Sequence, residues 1–134
     1  MNNGHAAAIL IITPQGIPLV RDPEKPDPVF WKFPGGQGQD RETPEECGVR
    51  EAEEETGIHL PIHDLTLLCS EQRFDHVFTL FMARLSALPE MRVQGNEGEE
   101  IGVFSIEAIL AMKETFLPGH FAMAEETLLS LLKK

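Results

Sequence analysis

The sequence predicts an α/β fold, a mixed central sheet held between helices as an α/β/α sandwich, on three observations. Apolar, β-branched runs such as Ala6–Ile12 have the length and composition of strands. The stretch His76–Arg84 is apolar on both of its alternating faces (Val77, Thr79, Phe81 against Phe78, Leu80, Met82), as a central strand covered on both sides must be. Two further segments, Pro44–Thr56 and Phe121–Leu132, carry helical spacing and helix punctuation. A length of 134 residues fits a single domain over 1–134 with a real hydrophobic core.

In chain order, Ala6–Ile12 reads as a buried strand and Thr13-Pro14-Gln15-Gly16 as a turn, so Ile17–Arg21 is expected to return as the second strand of a hairpin. Residues 23–28 contain three prolines and form a loop. An apolar extended run (Val29, Phe30, Trp31, Phe33) ends at Pro34-Gly35-Gly36, a tight turn where backbone can approach a ligand. Thr43 with Glu46 three residues on is a capping box, Pro44 suits the first helical position, and Gly57 is a helix stop. Gly48, in mid-helix, costs about 1 kcal/mol relative to alanine and is expected to serve close packing on the sheet. Leu65–Cys69 and His76–Arg84 are strands, 89–100 is a polar loop, and Ile101–Phe104 is a short strand. Ser105 caps a helix over Ile106–Met112, and the helix Phe121–Leu132 ends on Lys133 and Lys134, which suit its dipole.

Composition narrows the function. Lys plus Arg number 11 against 22 Asp plus Glu, a net charge of −11, which excludes nucleic acid as a bulk partner. A polyphosphate would be repelled by this surface, so cations must mediate its binding. Cys47 and Cys69 lack ligand spacing, and Cys47 is expected to be a packing residue; the two point to a reducing, intracellular setting. Ala6–Ile12 has no basic leader and is too short to span a bilayer. The expectation is a soluble, cytoplasmic protein with no membrane partner.

The chemistry concentrates in residues 36–58, GQGQDRETPEECGVREAEEETGI. Residues three and four apart share one helix face, so Glu51, Glu54 and Glu55 crowd their carboxylates together. That repulsion is tolerable where divalent cations neutralise it, and hard cations take carboxylate oxygens. Arg50, four residues before Glu54, can pair with it or reach Glu42 across the turn and orient the ligands.

The pattern Gly36, Glu42, Arg50-Glu51-Ala52, Glu54-Glu55, Gly57-Ile58 resembles the signature of the Nudix hydrolases with every fixed position filled. The resemblance implies a Nudix-type α/β/α sandwich, and hydrolysis of a diphosphate linkage in a nucleoside diphosphate joined to another moiety. It implies Mg²⁺, with Mn²⁺ as a substitute, held by Glu51, Glu54, Glu55, the Gly35 carbonyl and an extra metal-binding acid on a distant loop (Glu97), and a base that is Glu51, Glu54 or an acid on that loop. In mutator-type relatives that acid precedes a strand ending in a Phe/Met/Trp-Ser step. Counting back from Phe104-Ser105 selects Glu97 first and Glu100 second; the alternative is a solvated acidic loop.

By the same resemblance Arg21 stands where relatives hold a phosphate, and Gly36 and Trp31 border the substrate, though Arg21 also reads as a surface residue and Trp31 as core. His120 stands near a base-reading Asn of mutator-type relatives, and an imidazole cannot reproduce an amide's donor–acceptor pair, so oxidised guanine is not supported there. His5, His59, His63 and His76 show no site spacing. Markers of the ADP-ribose, dinucleoside polyphosphate and coenzyme A subfamilies are missing, which leaves a small (deoxy)nucleoside triphosphate as substrate. Alternatives are an ADP-ribose or other nucleotide-sugar pyrophosphatase and a non-catalytic nucleotide-binding module. A calcium-binding acidic protein would instead spread its ligands along a loop. A homodimer is common among such relatives, and the sequence does not choose an oligomeric state.

Overall fold

Small and branched apolar residues after Gly4 build β1 (Gly4–Ile12), whose alternate side chains feed two separate cores in the computed structural model, which describes residues 4–133. Ala6, Ala8 and Leu10 face one cluster, and Ala7, Ile9 and Ile11 face the other. The strand β5 (His76–Arg84) runs parallel to β1 from Gly4↔His76 to Ile12↔Arg84 and divides its side chains likewise. Phe78 and Leu80 join the first cluster, while Phe81 and Ala83 join the second. The expected two-sided strand is therefore central. Antiparallel β4 (Thr66–Gln72) and β3 (Gly35–Gln37) complete a mixed sheet of order β3-β1-β5-β4.

One face is covered by α1 (Pro44–Thr56), through Cys47 and Ala52. The other is covered by α2 (Ile106–Leu110) and α3 (Pro118–Leu132), through Ile109, Phe121, Ala124 and Leu128. This is the expected α/β/α sandwich. The helix α1 has the foreseen bounds and both halves of the capping box: Glu46 N–H donates to Thr43 Oγ1 at 3.0 Å and Thr43 N–H to Glu46 Oε1 at 2.9 Å. Gly57 closes it in the left-handed region at φ 84°, where a Cβ would be strained.

Four local expectations need correction. The strand β2 (Ile17–Arg21) does not form a hairpin sheet with β1; it pairs antiparallel with β6 (Glu100–Phe104). On its other edge Val20 exchanges backbone hydrogen bonds with Lys32 at 3.0 and 2.9 Å, so β2 finds partners on both sides without β1. Gly35–Gln37 is not a turn but a short strand lying so close to β1 that a Cβ on Gly35 would collide with Ala7 O and Ala8. The second helix stops at Leu110, two residues early. The third starts at Pro118, whose fixed φ suits a first helical position. Lys133 is the C-cap residue of α3, and Lys134 lies outside the described residues.

Candidate active site

The helix α1 meets the sheet at β3, and Arg50 fastens that junction. Its guanidinium binds Glu42 in bidentate fashion, Nε to Oε2 at 2.7 Å and Nη2 to Oε1 at 3.1 Å, and Nη2 also donates to Gln37 O at 2.9 Å. Its Nη1 reaches Glu51 Oε2 at 3.1 Å and Glu54 Oε1 at 3.3 Å. One cation thus gathers three carboxylates from the turn and from one helix face, as their spacing anticipates. The hydrogen bond from Arg50 holds the Glu42 carboxyl below its usual range, and Glu42 in turn raises the guanidinium pKa.

Glu55 takes a different course. Its side chain is 8% exposed, its Oε1 accepts from Gly35 N–H at 2.9 Å, and its Oε2 lies 3.6 Å from Lys32 Nζ. Lys32 Nζ also donates to the Gly35 carbonyl at 2.9 Å. Burial outweighs the ammonium and pushes the Glu55 carboxyl up to about 7. Burial likewise raises Glu51, against the pull of Arg50. Glu51 lies so close to the backbone of Gly36 that a Cβ there would come within 2.6 Å of its carboxyl carbon. Glycine at 36 is therefore what lets this carboxylate reach the sheet.

The loop before β6 docks on the C-terminal end of α1. Asn96 N–H donates to Glu54 O at 3.0 Å and Arg92 N–H to Thr56 O at 2.8 Å, satisfying carbonyls that the helix leaves open. Within this loop Glu97 is exposed, and its N–H donates to Glu99 Oε1 at 3.1 Å. Glu100 is tied to Arg21 at 2.7 Å on the β2–β6 pair. Glu99 is the buried acid, close enough to Glu55 to help raise its pKa. Counting back from Phe104-Ser105 does not single out Glu99, because three glutamates in one polar loop look alike until the loop folds. Lys32 was missed too; its only signal was a charge inside an apolar extended run.

Of the residues expected to touch substrate, Arg21 and Trp31 stand together and His120 lies in an aromatic stack. Arg21 lies over the Trp31 ring at 4.5 Å, and Trp31 packs edge-on against Phe104 at 5.0 Å. His120 is buried in the first turn of α3, stacked on Phe78 at 4.9 Å and on Phe33 at 5.9 Å. Its Nδ1 accepts from Phe33 N–H at 3.3 Å, and desolvation, aided by Lys32 and Arg73, drives its pKa down to about 3. The ring is neutral, with its proton on Nε2. Cys47 is buried as expected, its thiol pushed up to about 11 by desolvation.

Among the described residues no group of three His, Cys, Asp or Glu side chains stands in metal-holding array; Glu51 and Glu54 bind Arg50, and Glu55 binds Gly35 N–H beside Lys32. The donor set nevertheless fits a hard divalent cation. It consists of carboxylate and carbonyl oxygens, and two of its members, Gly35 O and Glu55, already hold the Lys32 ammonium in a cation's place. Among the same residues no helix is long and apolar enough to cross a membrane.

The sequence pattern of the NUDIX domain family matches residues 2–126. A 29-residue stretch is 59% identical to an 8-oxo-dGTP diphosphatase of Proteus vulgaris, covering 22% of this chain and 26% of that protein. The match thus spans about a quarter of the curated relative's length. The MutT structure described for Aliivibrio salmonicida and Vibrio cholerae superimposes with a TM-score of 0.76 at 22% identity, over 96% of this chain and 98% of that one. A bifunctional NMN adenylyltransferase/ADP ribose pyrophosphatase from Francisella tularensis, complexed with AMP and a Mn ion, superimposes with a TM-score of 0.74 at 20% identity. That likeness covers 96% of this chain and 42% of the Francisella protein. At these identities the likeness is one of fold.

Proposed function

The chain belongs to the NUDIX domain family, and from that premise we propose that it is a Mg²⁺-dependent pyrophosphohydrolase acting on small (deoxy)nucleoside triphosphates. The observation that carries this reading is the junction of α1 with β3, where Arg50 collects Glu51 and Glu54 while Glu55 is locked to Gly35 N–H. Glu51, Glu54, Glu55 and the Gly35 carbonyl would hold the metal, with Glu99 rather than Glu97 or Glu100 as the loop acid placed to join them. Bound there, Mg²⁺ would neutralise and orient the diphosphate and lower the pKa of the attacking water. Arg50 binds both Glu51 and Glu54 and fixes their orientation, and either of these two serves as proton acceptor for the attacking water. Arg21, stacked over Trp31, and the neutral His120, with its proton on Nε2, are the substrate contacts of this reading. The match to an 8-oxo-dGTP diphosphatase supports a nucleoside triphosphate class, although an imidazole at 120 does not supply the paired donor and acceptor of an amide.

Pyrophosphate release from the common nucleoside triphosphates, with ADP-ribose included, tests the proposal. Turnover of at least one triphosphate that vanishes with chelator supports it. Hydrolysis of ADP-ribose alone would transfer the reading to nucleotide-sugar substrates. No turnover of any compound with Mg²⁺ or Mn²⁺ would leave only a binding module.

A further inference from the structure

The Gly35 carbonyl and Glu55, the oxygens proposed to receive a metal, already serve a cation. Lys32 Nζ donates to Gly35 O at 2.9 Å and stands 3.6 Å from Glu55 Oε2. Magnesium binds oxygen at about 2.0–2.1 Å in near-octahedral geometry. An ion on this same pair of oxygens would stand beside the ammonium and compete with it for Gly35 O and the single carboxylate of Glu55. Both cannot stay. The lysine stem has four rotatable carbons and a compact head with three donors, so it can change partners at small cost in geometry. Its side chain is 27% exposed and also lines a cleft of about 280 Å³ with Asp22, Lys25, Phe30 and Leu117. That cleft carries the ammonium groups of Lys25 and Lys32, and Lys32 joins it to Glu55, in a chain of net charge −11 whose polyphosphate ligand would need cations.

We propose, resting on the metal-dependent reading above, that Lys32 is a cation-exchange residue. Its ammonium holds Gly35 O and Glu55 in place while metal is absent, yields both to the divalent ion, and turns to the diphosphate oxygens of the substrate. Lys32 thereby keeps the metal oxygens positioned before loading and becomes a substrate contact after it.

Trace acetylation with acetic anhydride, quantified by mass spectrometry, reads the exchange directly. The reactivity of Lys32 would be taken relative to exposed Lys113 in chelator, in Mg²⁺, and in Mg²⁺ with a methylene-bridged, non-hydrolysable nucleoside triphosphate. The expected result is a rise of about threefold or more on adding Mg²⁺ and a return to protection with the analogue. A ratio unchanged or lowered by Mg²⁺ overturns the proposal and makes Lys32 a fixed structural pair. A ratio that rises and then stays high with the analogue overturns its substrate half. Electron paramagnetic resonance titration of Mn²⁺ into the same protein separates this from failure of the premise, since no bound Mn²⁺ would remove the metal site itself. Lys32→Met is expected to raise KM by about tenfold, as loss of a charged hydrogen bond does, with kcat changed much less. A loss confined to kcat contradicts the substrate contact.

Discussion

On the α1 face of the sheet the buried carboxylate Glu55 is held by a backbone N–H and an ammonium, whereas on the α3 face the buried imidazole His120 lies among Phe33 and Phe78. Both side chains are nearly sealed from water. Glu55 is left close to half-ionised near neutrality, with its pKa at about 7, and His120, at about 3, is simply neutral. Desolvation is the leading cause in each case, and the partners decide what remains of the charge. Packing follows the same division. The α1 face uses small groups, Ala7, Cys47, Gly48 and Ala52, so the helix can come close enough for Glu51 and Glu55 to reach β3. The α3 face is filled with Phe33, Phe78, Phe116 and Phe121. Chargeable groups are retained where the backbone closes tightly and are neutralised where aromatic volume fills the space.

The strongest challenge to that contrast is substitution on the two faces. Glu54→Gln and Glu55→Gln are each expected to lower kcat by about 10²–10⁴-fold, the usual worth of a positioned acid–base or metal-holding group. His120→Phe, which keeps the ring stack, should leave kcat within about threefold of the parent. Steady-state kinetics with Mg²⁺ decide it, and two glutamine variants as fast as the parent would abolish the distinction.

The two buried groups should also give stability slopes of opposite sign in metal-free protein. Glu55 has a folded pKa raised from 4.5 to about 7. Its contribution is fully present below pH 4.5 and is lost as pH rises through 7, by at most about 3 kcal/mol. Glu55→Gln should therefore gain on the parent as pH climbs from 4.5 to 8. His120 has a folded pKa depressed from 6.5 to about 3, so its contribution is present above 6.5 and is lost as pH falls toward 3. His120→Phe should flatten that acid limb. Urea unfolding in chelator across pH 4–8 measures both, and parallel curves for parent and variants would contradict the assignment.

Next in size is the Arg50 network. Arg50→Met leaves Glu42, Glu51 and Glu54 without their shared cation, and kcat/KM should fall about 10–100-fold, the range for partners that orient metal ligands. Arg50→Lys keeps the charge but not the bidentate grip on Glu42, and should recover only part of the loss. Activity untouched by either change would mean that the carboxylates hold their positions without it.

How much of this was legible in the sequence depends on how local each feature is. The bounds of α1, its capping box and its αL stop are set within a few residues, and so is the spacing that puts Glu51, Glu54 and Glu55 within reach of Arg50 and β3. The two-sided strand β5 could be read because burial on both faces leaves both alternations apolar. Other features depend on partners remote in the chain. Nothing within Ile17–Arg21 says that it will pair with β6, 79 residues away at the Arg21–Glu100 ion pair. Glu99 was indistinguishable from Glu97 and Glu100 because burial within that loop is decided by where α1 ends. Lys32 became visible only when its extended segment lay beside Glu55.

The smallest expected effect probes the close approach that lets the α1 face work. Gly48→Ala should gain about 1 kcal/mol from helix propensity alone. A Cβ at 48 would lie 3.1 Å from both Cγ1 and Cδ1 of Ile9, a fully buried side chain that would have to give by a few tenths of an ångström. The two effects oppose at similar size, so the single variant should leave Tm within a few degrees of the parent. Ile9→Val removes Cδ1 and costs about 0.5–1.5 kcal/mol alone. In that background Gly48→Ala should be stabilising, with a favourable coupling of about 0.5–1 kcal/mol in a double-mutant cycle. Thermal unfolding of the four proteins gives the coupling. A Gly48→Ala gain that is the same in both backgrounds would mean that the helix does not sit on Ile9 as tightly as the distances say.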